Sequence, residues 1–379
     1  MKILIVSIWP IEKKSIGGTE RFVKHLASSL KKDGYDIDVL MLSGKKRIID
    51  GIHYYTIPFL QEKVDEYILK DFLDGLSDKI LTKFADLFSK FNVGKYDIVH
   101  LNSLICYKVF PEKNRVITLH NYPLEFDQEW GNLHYNEMQR IIKSSNNDKN
   151  ILTSPSSFYA KIHARDFNLK TEIIPHCLDK THTYTKLNKK EIRKKLNLSN
   201  KYTILLPSRI DLEQKRPDLG LKAIALAKNK LPDFQVIFTG ADNQYQENIN
   251  YLKTIAIKNS IDCKFLKSVT MSEVYKISDL VLLPSKWETF GYCAVESLSL
   301  KIKTVLTNIP SFREIARGNQ FAFISKHSER DIANSIIRAV NTNFLKLNTD
   351  KWSKKYSEEL WVNNYLKIYH KFKTKHIND

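Results

Sequence analysis

Two glutamates stand eight residues apart, as Glu288 and Glu296, in the segment DLVLLPSKWETFGYCAVESLSL (279–300). The pattern predicts a buried strand ending at Ser285, a short loop, and a helix that begins near Gly291. The first turn of such a helix offers unpaired N–H groups and a positive dipole end to a phosphate. A carboxylate inside the helix can accept two hydroxyls, as a ribose diol requires, and the loop carboxylate can bind sugar hydroxyls. Two glutamates at this spacing also arise by chance, so the strand–loop–helix context gives the pattern its specificity.

Two cations, Arg209 and Lys215, follow the strand YTILLPS (202–208) in a predicted strand-to-helix loop. Together they could hold a pyrophosphate and neutralise the charge that builds on it as it leaves. The alternative is two ordinary surface residues in a chain that has 60 lysines and arginines. Their occurrence in the same chain as the glutamate segment favours the functional interpretation.

The first half of the chain offers weaker candidates. Gly17 and Gly18 lie between the first predicted strand and its helix, but they form no GxGxxG fingerprint and a simple turn is the alternative. His120 ends the strand ITLH and is followed by Asn121, although a lone histidine is commonly structural. The other histidines show no HxxxH or HExxH spacing, so no metal site is indicated.

These side chains need a framework of parallel strands. The first forty residues read as a strand KILIVSI, a helix TERFVKHLASSLKKDG and a strand YDIDVLML, which together make a βαβ unit. Thr19 is the expected helix cap, Phe22, Leu26 and Leu30 share one face, and Gly34 ends the helix.

The same alternation recurs along the chain in two series. The second begins at 202, has a helix over Pro217–Leu231, and includes Thr270 and Glu273 at the spacing of a capping box. We therefore predict two doubly wound domains that face each other across a cleft and meet at 180–201, with ligands at the carboxyl ends of the strands. The further predicted strands are DIVHL, RVITLH, NILTSP, TEIIPH, FQVIFTG, DCKFL, DLVLLPS and KTVLTN.

Two further segments could contact other surfaces. Residues 60–91 repeat apolar side chains at helical spacing, and their polar face is mixed in sign, so packing within the first domain is favoured over a membrane-surface helix. Residues 186–201 are basic, with a solvated face as the default interpretation and contact with an anionic surface as the alternative.

Composition limits the class of protein. The chain has 379 residues, 42% hydrophobic and 27% charged, which suits two globular domains. No apolar run reaches the length of a membrane-spanning helix, and the N-terminus reads as a strand. The four cysteines stand far apart, which argues against a zinc site or disulfide framework and predicts a reducing cytoplasm. The net charge of +18 favours anionic partners (membrane headgroups, nucleic acid or phosphorylated substrates), unless it reflects a lysine-rich composition alone.

Taken together, these motifs resemble the retaining glycosyltransferases of family GT4, which have the two-domain GT-B fold. The resemblance covers nearly the whole chain and includes a last helical stretch, KWSKKYSEELWVNNYLKIYHKF (351–372). It implies an N-terminal acceptor-side domain over 1–180 and a donor-binding domain over 181–349. A C-terminal helix at about 350–379 would pack back on the first domain.

The resemblance also implies roles for the candidate residues. Arg209 and Lys215 would hold the donor pyrophosphate, and Glu296 would hold the ribose. Glu288 would contact the transferring sugar, assisted by backbone amides near Phe290 and Gly291.

In the first domain, the resemblance places Gly17 and Gly18 against the phosphates or the acceptor, and His120 near the reacting sugar. The anomeric configuration would be retained without an enzymic nucleophile, so stabilising the departing diphosphate becomes the main catalytic contribution. No metal is expected, because the two cations and the helix dipole supply the positive charge. No cofactor is expected, because the nucleotide sugar is itself the substrate.

Three positions depart from the family pattern. Pro175–Asp179 reads PHCLD where Pro-Asn-Gly-Val-Asp is common, and Arg216 and Lys267 stand where glycine is frequent. The departures bear on the donor and its base and leave the Glu, Arg and Lys set intact.

The expected function is transfer of a hexose-type sugar from a nucleotide sugar, with a UDP-sugar favoured, to a glycan, lipid-linked or polysaccharide acceptor in cell-surface glycan synthesis. One alternative is a GT-B sugar-nucleotide epimerase. Another is a non-catalytic basic protein that binds membrane or nucleic acid, although no nucleic-acid motif is present. The expected location is the cytoplasm, with peripheral binding to the inner face of the membrane as an extension of the charge argument.

Overall fold

The computed structural model describes residues 1–7, 11, 17–41, 45–56, 92–102, 114–120, 145, 149–344 and 350–375. The chain forms two compact units, one made of Met1–His176 with Glu358–Asp379 and the other of Cys177–Ser357. The helix predicted within 60–91 lies outside the described residues. Among the residues that are described, no helix combines the length and apolar character needed to cross a bilayer.

The first unit is built on an eight-stranded sheet whose described strands run in the order β3-β4-β2-β1-β5-β6-β7-β8. All neighbours pair in parallel except β3 and β4, which form an antiparallel hairpin. The predicted strands of this half are confirmed, and the hairpin was not predicted. The strands are β1 (Lys2–Ser7), β2 (Asp36–Met41), β3 (Arg47–Ile49), β4 (Ile52–Thr56), β5 (Ile98–Leu101), β6 (Arg115–Thr118), β7 (Asn150–Ser154) and β8 (Thr171–Ile173).

Helix α1 (Gly18–Lys32) joins β1 to β2 and completes the predicted βαβ unit. Its buried face contains Phe22, Leu26 and Leu30, as the spacing predicts. The predicted cap at Thr19 is wrong, because the helix begins at Gly18 and its N-cap, two residues before Thr19, is Gly17, which provides no side-chain hydrogen bond. The described helices of the first unit also include α2 (Ser157–Phe167) and the C-terminal helix introduced below.

The second unit is a six-stranded, fully parallel sheet in the order β11-β10-β9-β12-β13-β14. Its predicted strands are confirmed, and β14 was not predicted. The strands are β9 (Tyr202–Leu206), β10 (Phe234–Phe238), β11 (Cys263–Phe265), β12 (Leu280–Leu283), β13 (Lys303–Thr307) and β14 (Ala322–Ser325). Helix α3 (Lys189–Lys195) precedes these strands, and helix α9 (Glu329–Asn341) follows them. The helices described between the strands are α4 (Pro217–Ala227), α5 (Gln246–Lys258), α6 (Met271–Ile277), α7 (Tyr292–Ser299) and α8 (Pro310–Ala316).

The predicted capping box at the start of helix α6 is not formed. Thr270 is the N-cap of α6, but its side chain makes no capping bond, and both Glu273 carboxylate oxygens accept from the Lys195 ammonium at 2.8 Å instead. A complete capping box opens α3, where Asn188 and Glu191 bond reciprocally. Glu273 therefore forms an ion pair with Lys195 and does not cap the helix in the way that the local pattern predicts.

The C-terminal stretch forms separate helices. Helix α10 (Asp350–Lys354) belongs to the second unit, where the Trp352 indole Nε1 donates to the Ile315 carbonyl at 2.7 Å. Helix α11 (Glu358–Lys375) belongs to the first unit and packs on α1. The Glu358 carboxylate accepts the Ser29 hydroxyl at 2.6 Å and lies 3.5 Å from the His25 ring.

The Glu358 contact should make the stability of the first unit depend on pH. Burial raises the pKa of Glu358, but the Ser29 hydrogen bond and the nearby His25 and Lys32 charges outweigh it, and the net pKa is lowered. A carboxyl whose folded pKa is lowered stabilises the fold above its unfolded pKa, and this contribution is lost as pH falls through the folded pKa. We expect Glu358→Gln to reduce the free energy of unfolding at neutral pH by about 1 kcal/mol.

The measurement is urea unfolding of both proteins at several pH values between neutral and acidic. The neighbouring Glu359, which is exposed, provides the matched control Glu359→Gln. A loss that is equal for the two variants, or that does not shrink as the pH falls, would contradict the assignment.

Candidate active site

The strand order of the second unit makes β9 and β12 neighbours, so the loops that follow their carboxyl ends meet. These loops are the cation loop (207–216) and the glutamate loop (284–291). The Lys286 backbone N–H donates to the Gln214 carbonyl at 2.8 Å and joins them directly. The Cys293 thiol, at the start of α7, donates to the Pro207 carbonyl at 2.9 Å. The two predicted motifs therefore form one site.

Lys215 and Glu288 are bonded to each other at the centre of this site. The Lys215 ammonium donates to Glu288 Oε1 at 2.7 Å, and the Ser285 hydroxyl donates to the same oxygen at 3.0 Å. The two charged side chains are only 15% and 14% exposed, so the pair is shielded from water. Within the described residues Glu288 Oε2 has no hydrogen-bond partner, which leaves it able to accept a ligand hydroxyl.

Arg209 lies on the exposed side of the same loop. Its Nη2 donates to Gln214 Oε1 at 2.9 Å and lies 3.8 Å from the Asp211 carboxylate. Arg209 and Lys215 thus have different partners, and their joint hold on a pyrophosphate stays a prediction.

Gln214 ties the two loops together, and sequence reasoning missed it. Its backbone N–H donates to Asp211 Oδ1 at 2.9 Å, and its Nε2 donates to the Trp287 carbonyl at 3.3 Å. Its Oε1 accepts from Arg209, and its carbonyl accepts from Lys286. No pattern marks a glutamine beside a lysine, so only the tertiary contacts reveal the residue.

Arg216 explains one departure from the family pattern. Its backbone is left-handed, with φ 51° and ψ 46°, a conformation in which glycine is the least strained residue. The guanidinium compensates by donating to both carboxylate oxygens of Asp218 at 3.1 Å, and this hydrogen bond raises the pKa of Arg216. Lys267, the other departure at a glycine position, donates to Asn243 Oδ1 at 2.8 Å.

Gly291 is the N-cap of helix α7 and has a positive φ of 104°. A Cβ at this position would lie 2.8 Å from the Phe312 ring, so a side chain has neither the backbone freedom nor the space it needs. The preceding Phe290 is buried and packs edge-on against Tyr292 and Tyr356. These contacts fix the loop that presents the N-terminus of the helix.

Glu296 occupies the second turn of α7 but is 1% exposed, so its carboxylate is not open at the surface. The Tyr275 hydroxyl donates to Oε2 at 2.8 Å, and the His182 ring lies 3.7 Å from Oε1. Burial, followed by the nearby Cys293 and Glu296, raises the pKa of Tyr275 well above its ordinary value, so the hydroxyl remains a donor. Sequence reasoning missed both partners, and the ribose role of Glu296 stays a prediction.

The first unit holds the remaining candidates. His120 follows β6, and its Nε2 lies 3.0 Å from Asn102 Oδ1. The Phe22 and His176 rings pack against it at centroid distances of 4.7 and 5.4 Å. Burial lowers the pKa of His120 to about 3, so the imidazole is neutral at physiological pH.

Gly17 and Gly18 are exposed at the start of α1, after the carboxyl end of β1. A Cβ at Gly17 would lie 2.6 Å from Glu20 Oε2. Pro175–Asp179, the third departure, spans the division between the units, because His176 ends one and Cys177 begins the other. Among the described residues, no three His, Cys, Asp or Glu side chains gather to hold a metal ion, and the metal-free reaction stays a prediction.

Gly291→Ala should destabilise the protein more than Gly318→Ala, its matched control. Gly318 also has a positive φ, of 79°, but a Cβ there would have no neighbour within 4 Å. We expect the control to lose about 1 kcal/mol from backbone strain. Gly291→Ala should lose about 3 kcal/mol because the Phe312 contact adds to the strain. Urea unfolding measures both, and equal losses would show that the Phe312 contact does not matter.

Family models match almost the whole chain. The model described as Glycosyltransferase Family 4 matches residues 16–182, and the model described as Glycosyl transferases group 1 matches residues 188–358. A protein of Klebsiella pneumoniae described as an uncharacterized 41.2 kDa protein in cps region is 21% identical over 310 residues, which covers 76% of this chain and 82% of that protein.

Solved structures agree in fold. Sucrose-phosphate synthase from Thermosynechococcus elongatus has a TM-score of 0.71 at 16% identity, covering 100% of this chain and 98% of that one. WaaG, a glycosyltransferase involved in lipopolysaccharide biosynthesis, has a TM-score of 0.68 at 16% identity, covering 98% and 95%. Anabaena HepE in complex with UDP-glucose has a TM-score of 0.65 at 14% identity, covering 100% of both chains. With two parallel α/β units and a matching family model on each half, the chain is a GT4-type glycosyltransferase with the GT-B fold.

Proposed function

We propose that this glycosyltransferase moves a hexose-type sugar, with retention of configuration, from a UDP-sugar to a glycan, lipid-linked or polysaccharide acceptor in cell-surface glycan synthesis. The observation that carries the proposal is the shielded Lys215–Glu288 pair beside the N-terminus of α7. The UDP-glucose complex of HepE supports the choice of donor. The role of WaaG in lipopolysaccharide biosynthesis and the cps-region relative support the choice of pathway.

The donor diphosphate would bind where positive charge is available. An ammonium has three donors, and within the described residues Lys215 uses one, on Glu288, so two can reach phosphate oxygens. Arg209 uses Nη2 on Gln214 and keeps further N–H donors for the same ligand. The N–H groups at the start of α7 add the positive end of the helix dipole.

In the proposed reaction, the bond between the anomeric carbon and the diphosphate oxygen breaks, and its electron pair leaves on the diphosphate. The acceptor oxygen bonds to the anomeric carbon on the same face, and its proton passes to the departing phosphate oxygen. Lys215 and Arg209 stabilise the charge that develops on the leaving group. No metal is assigned to this step, since the cations and the helix N-terminus supply the positive charge.

Glu288 would have two tasks. Its Oε1 would hold the Lys215 ammonium in place before the donor binds. Less reorganisation would then be needed when the diphosphate charge develops. Its Oε2 would accept a hydroxyl of the transferring sugar. For Glu296 to contact the ribose, the His182 ring would have to move from its place 3.7 Å from Oε1. His120, Gly17 and Gly18 of the first unit would contact the sugar, acceptor or phosphates.

The test is release of nucleoside diphosphate from UDP- and GDP-sugars, with the anomer of any glycoside product assigned by NMR and a parallel assay in EDTA. We expect Lys215→Met and Glu288→Gln each to lower kcat/KM at least a hundredfold, which corresponds to about 2.7 kcal/mol. The exposed Lys258 and Glu247 provide the matched controls Lys258→Met and Glu247→Gln, which should leave the rate unchanged.

Four outcomes would each contradict part of the proposal. No binding of any nucleotide sugar at millimolar concentration would rule out a nucleotide-sugar donor. An inverted anomer would remove retention, and loss of the activity in EDTA would remove the metal-free reaction. Recovery of an epimerised sugar with its nucleotide still attached would replace transfer by epimerisation.

We also propose that the protein binds the anionic inner face of the membrane through a basic patch on the second unit. The patch consists of Lys180, Lys186, Lys189, Lys190 and Lys194, which are exposed and make no ion pair among the described residues. Tyr184, 68% exposed, lies among them in the chain. Each lysine near an anionic bilayer contributes about 1 kcal/mol, so the patch is sufficient for reversible binding.

Flotation with vesicles that contain or lack anionic lipid tests the patch. We expect the variant with Lys186, Lys189 and Lys190 changed to Gln to float less with anionic vesicles. The control changes Lys230, Lys253 and Lys258, exposed lysines of the same unit, to Gln and keeps the same net charge as the first variant. Equal losses in the two variants would indicate that only total charge matters, and equal recovery with both vesicle types would remove membrane binding.

A further inference from the structure

We propose that Asn102 is a positioning residue that fixes the tautomer of His120, so that the substrate group meeting this histidine must donate a hydrogen bond. The inference rests on the proposed function in one respect, that His120 contacts the substrate. It adds a chemical requirement: a hydroxyl satisfies the site, and a carboxylate does not.

The orientation of the Asn102 amide follows from its other partner. Asn102 is 4% exposed, and its Nδ2 donates to the Val6 carbonyl at 3.0 Å. A carbonyl oxygen only accepts, so the NH2 group must face Val6 and Oδ1 must face His120. The Asn102 backbone N–H also donates to the Val6 carbonyl, at 3.2 Å, which holds the residue against β1.

The orientation of the amide then determines the proton on the imidazole. Asn102 Oδ1 only accepts, so His120 Nε2, at 3.0 Å, must carry a hydrogen. Burial holds the pKa of His120 to about 3, so the ring is neutral and Nδ1 is unprotonated. Nδ1 has no hydrogen-bond partner in the part of the chain that the structure describes.

The surroundings keep the ring neutral and in place. From β5, His100 is buried, and its nitrogens lie 2.7 Å from the Tyr369 and Thr118 hydroxyls. Beyond β8, His176 stacks at a tilt on His120, and burial, with His120 and Arg21, lowers its pKa. Among the described residues no carboxylate contacts His120, so nothing nearby favours the imidazolium.

This tautomer would select substrates by whether the group that meets His120 can donate a hydrogen bond. An unprotonated Nδ1 accepts a hydrogen bond from a sugar or acceptor hydroxyl. A carboxylate oxygen at that place would present a lone pair to a lone pair and lose the bond that it made with water. His120 should therefore favour neutral hydroxyl-bearing sugars over uronic acids at the position that it contacts.

The first experiment reads the tautomer directly, by NMR of protein labelled with nitrogen-15 in histidine. We expect His120 Nε2 to show the shift of a protonated nitrogen and Nδ1 that of an unprotonated one at neutral pH, with His120→Gln identifying the signals. Asn102→Ala should give a mixture of tautomers. Asn102→Asp should place a carboxylate beside Nε2, raise the pKa of His120 and make its signals titrate at higher pH than in the native protein.

The second experiment reads the consequence for transfer. Asn102→Ala should lower kcat/KM about tenfold for a neutral hexose donor. It should also reduce the ratio of kcat/KM for this donor to kcat/KM for the corresponding uronic acid donor. Asn150→Ala is the control, because Asn150 is also buried in the first unit but bonds Arg115 and the Ser145 carbonyl instead. Melting temperatures of both variants show whether each remains folded.

The outcomes separate the two proposals. A protonated Nδ1 in the native protein, or native signals in Asn102→Ala, would overturn the role of Asn102. The expected tautomer with unchanged kinetics in Asn102→Ala would also overturn it, because the residue would then be structural. The expected tautomer in a protein that transfers no sugar would remove the proposed function and the substrate requirement while leaving the tautomer assignment in place.

Discussion

The second unit depends on one topological constraint, the reversal of strand order between β9 and β12. From this point the chain continues outward across the sheet in opposite directions, from β9 to β10 and from β12 to β13. Doubly wound sheets bind ligands at the carboxyl edge of such a switch point. The Lys215–Glu288 pair forms there because the two residues, 73 positions apart in the chain, follow adjacent strands. The hydrogen bond from the Lys286 N–H to the Gln214 carbonyl holds the two loops together. Without that adjacency the same residues would be an unrelated cation and carboxylate on separate surfaces.

The parts of this design that sequence could predict are those set by local pattern. The apolar runs of β1, β9 and β12 are buried strands, and the helical repeat of Phe22, Leu26 and Leu30 is the inner face of α1. The β3–β4 hairpin also had a local signal in the sequence, the Asp50–Gly51 pair, which is typical of a tight hairpin turn. Both residues have a positive φ, as this turn requires. The strands it joins are short and half-exposed, so their pattern is weak.

The rest could not be predicted because it is decided by groups distant in the chain. Glu273 fits a capping box locally, but Lys195 offers it a stronger, charge-assisted partner. Glu296 reads as an open carboxylate on a helix, yet Tyr275 and His182 enclose it. Gln214 and Asn102 carry no pattern at all, and their importance follows only from the carbonyls and rings that they bond. Sequence pattern thus finds charged candidate residues, and tertiary structure finds the neutral amides that contact the candidates.

The two units manage charge in opposite ways. In the first, burial lowers the pKa of His100, His120 and His176, so these rings are neutral at physiological pH. In the second, the partly buried Lys215 ammonium forms an ion pair with the Glu288 carboxylate at 2.7 Å. In the proposed reaction, a diphosphate would meet an ammonium that is already partly desolvated and held by Glu288, so less reorganisation would be needed than with a free ammonium. The carboxylate repels the anion as a charge, so its contribution to the proposed binding is to hold the Lys215 ammonium in place.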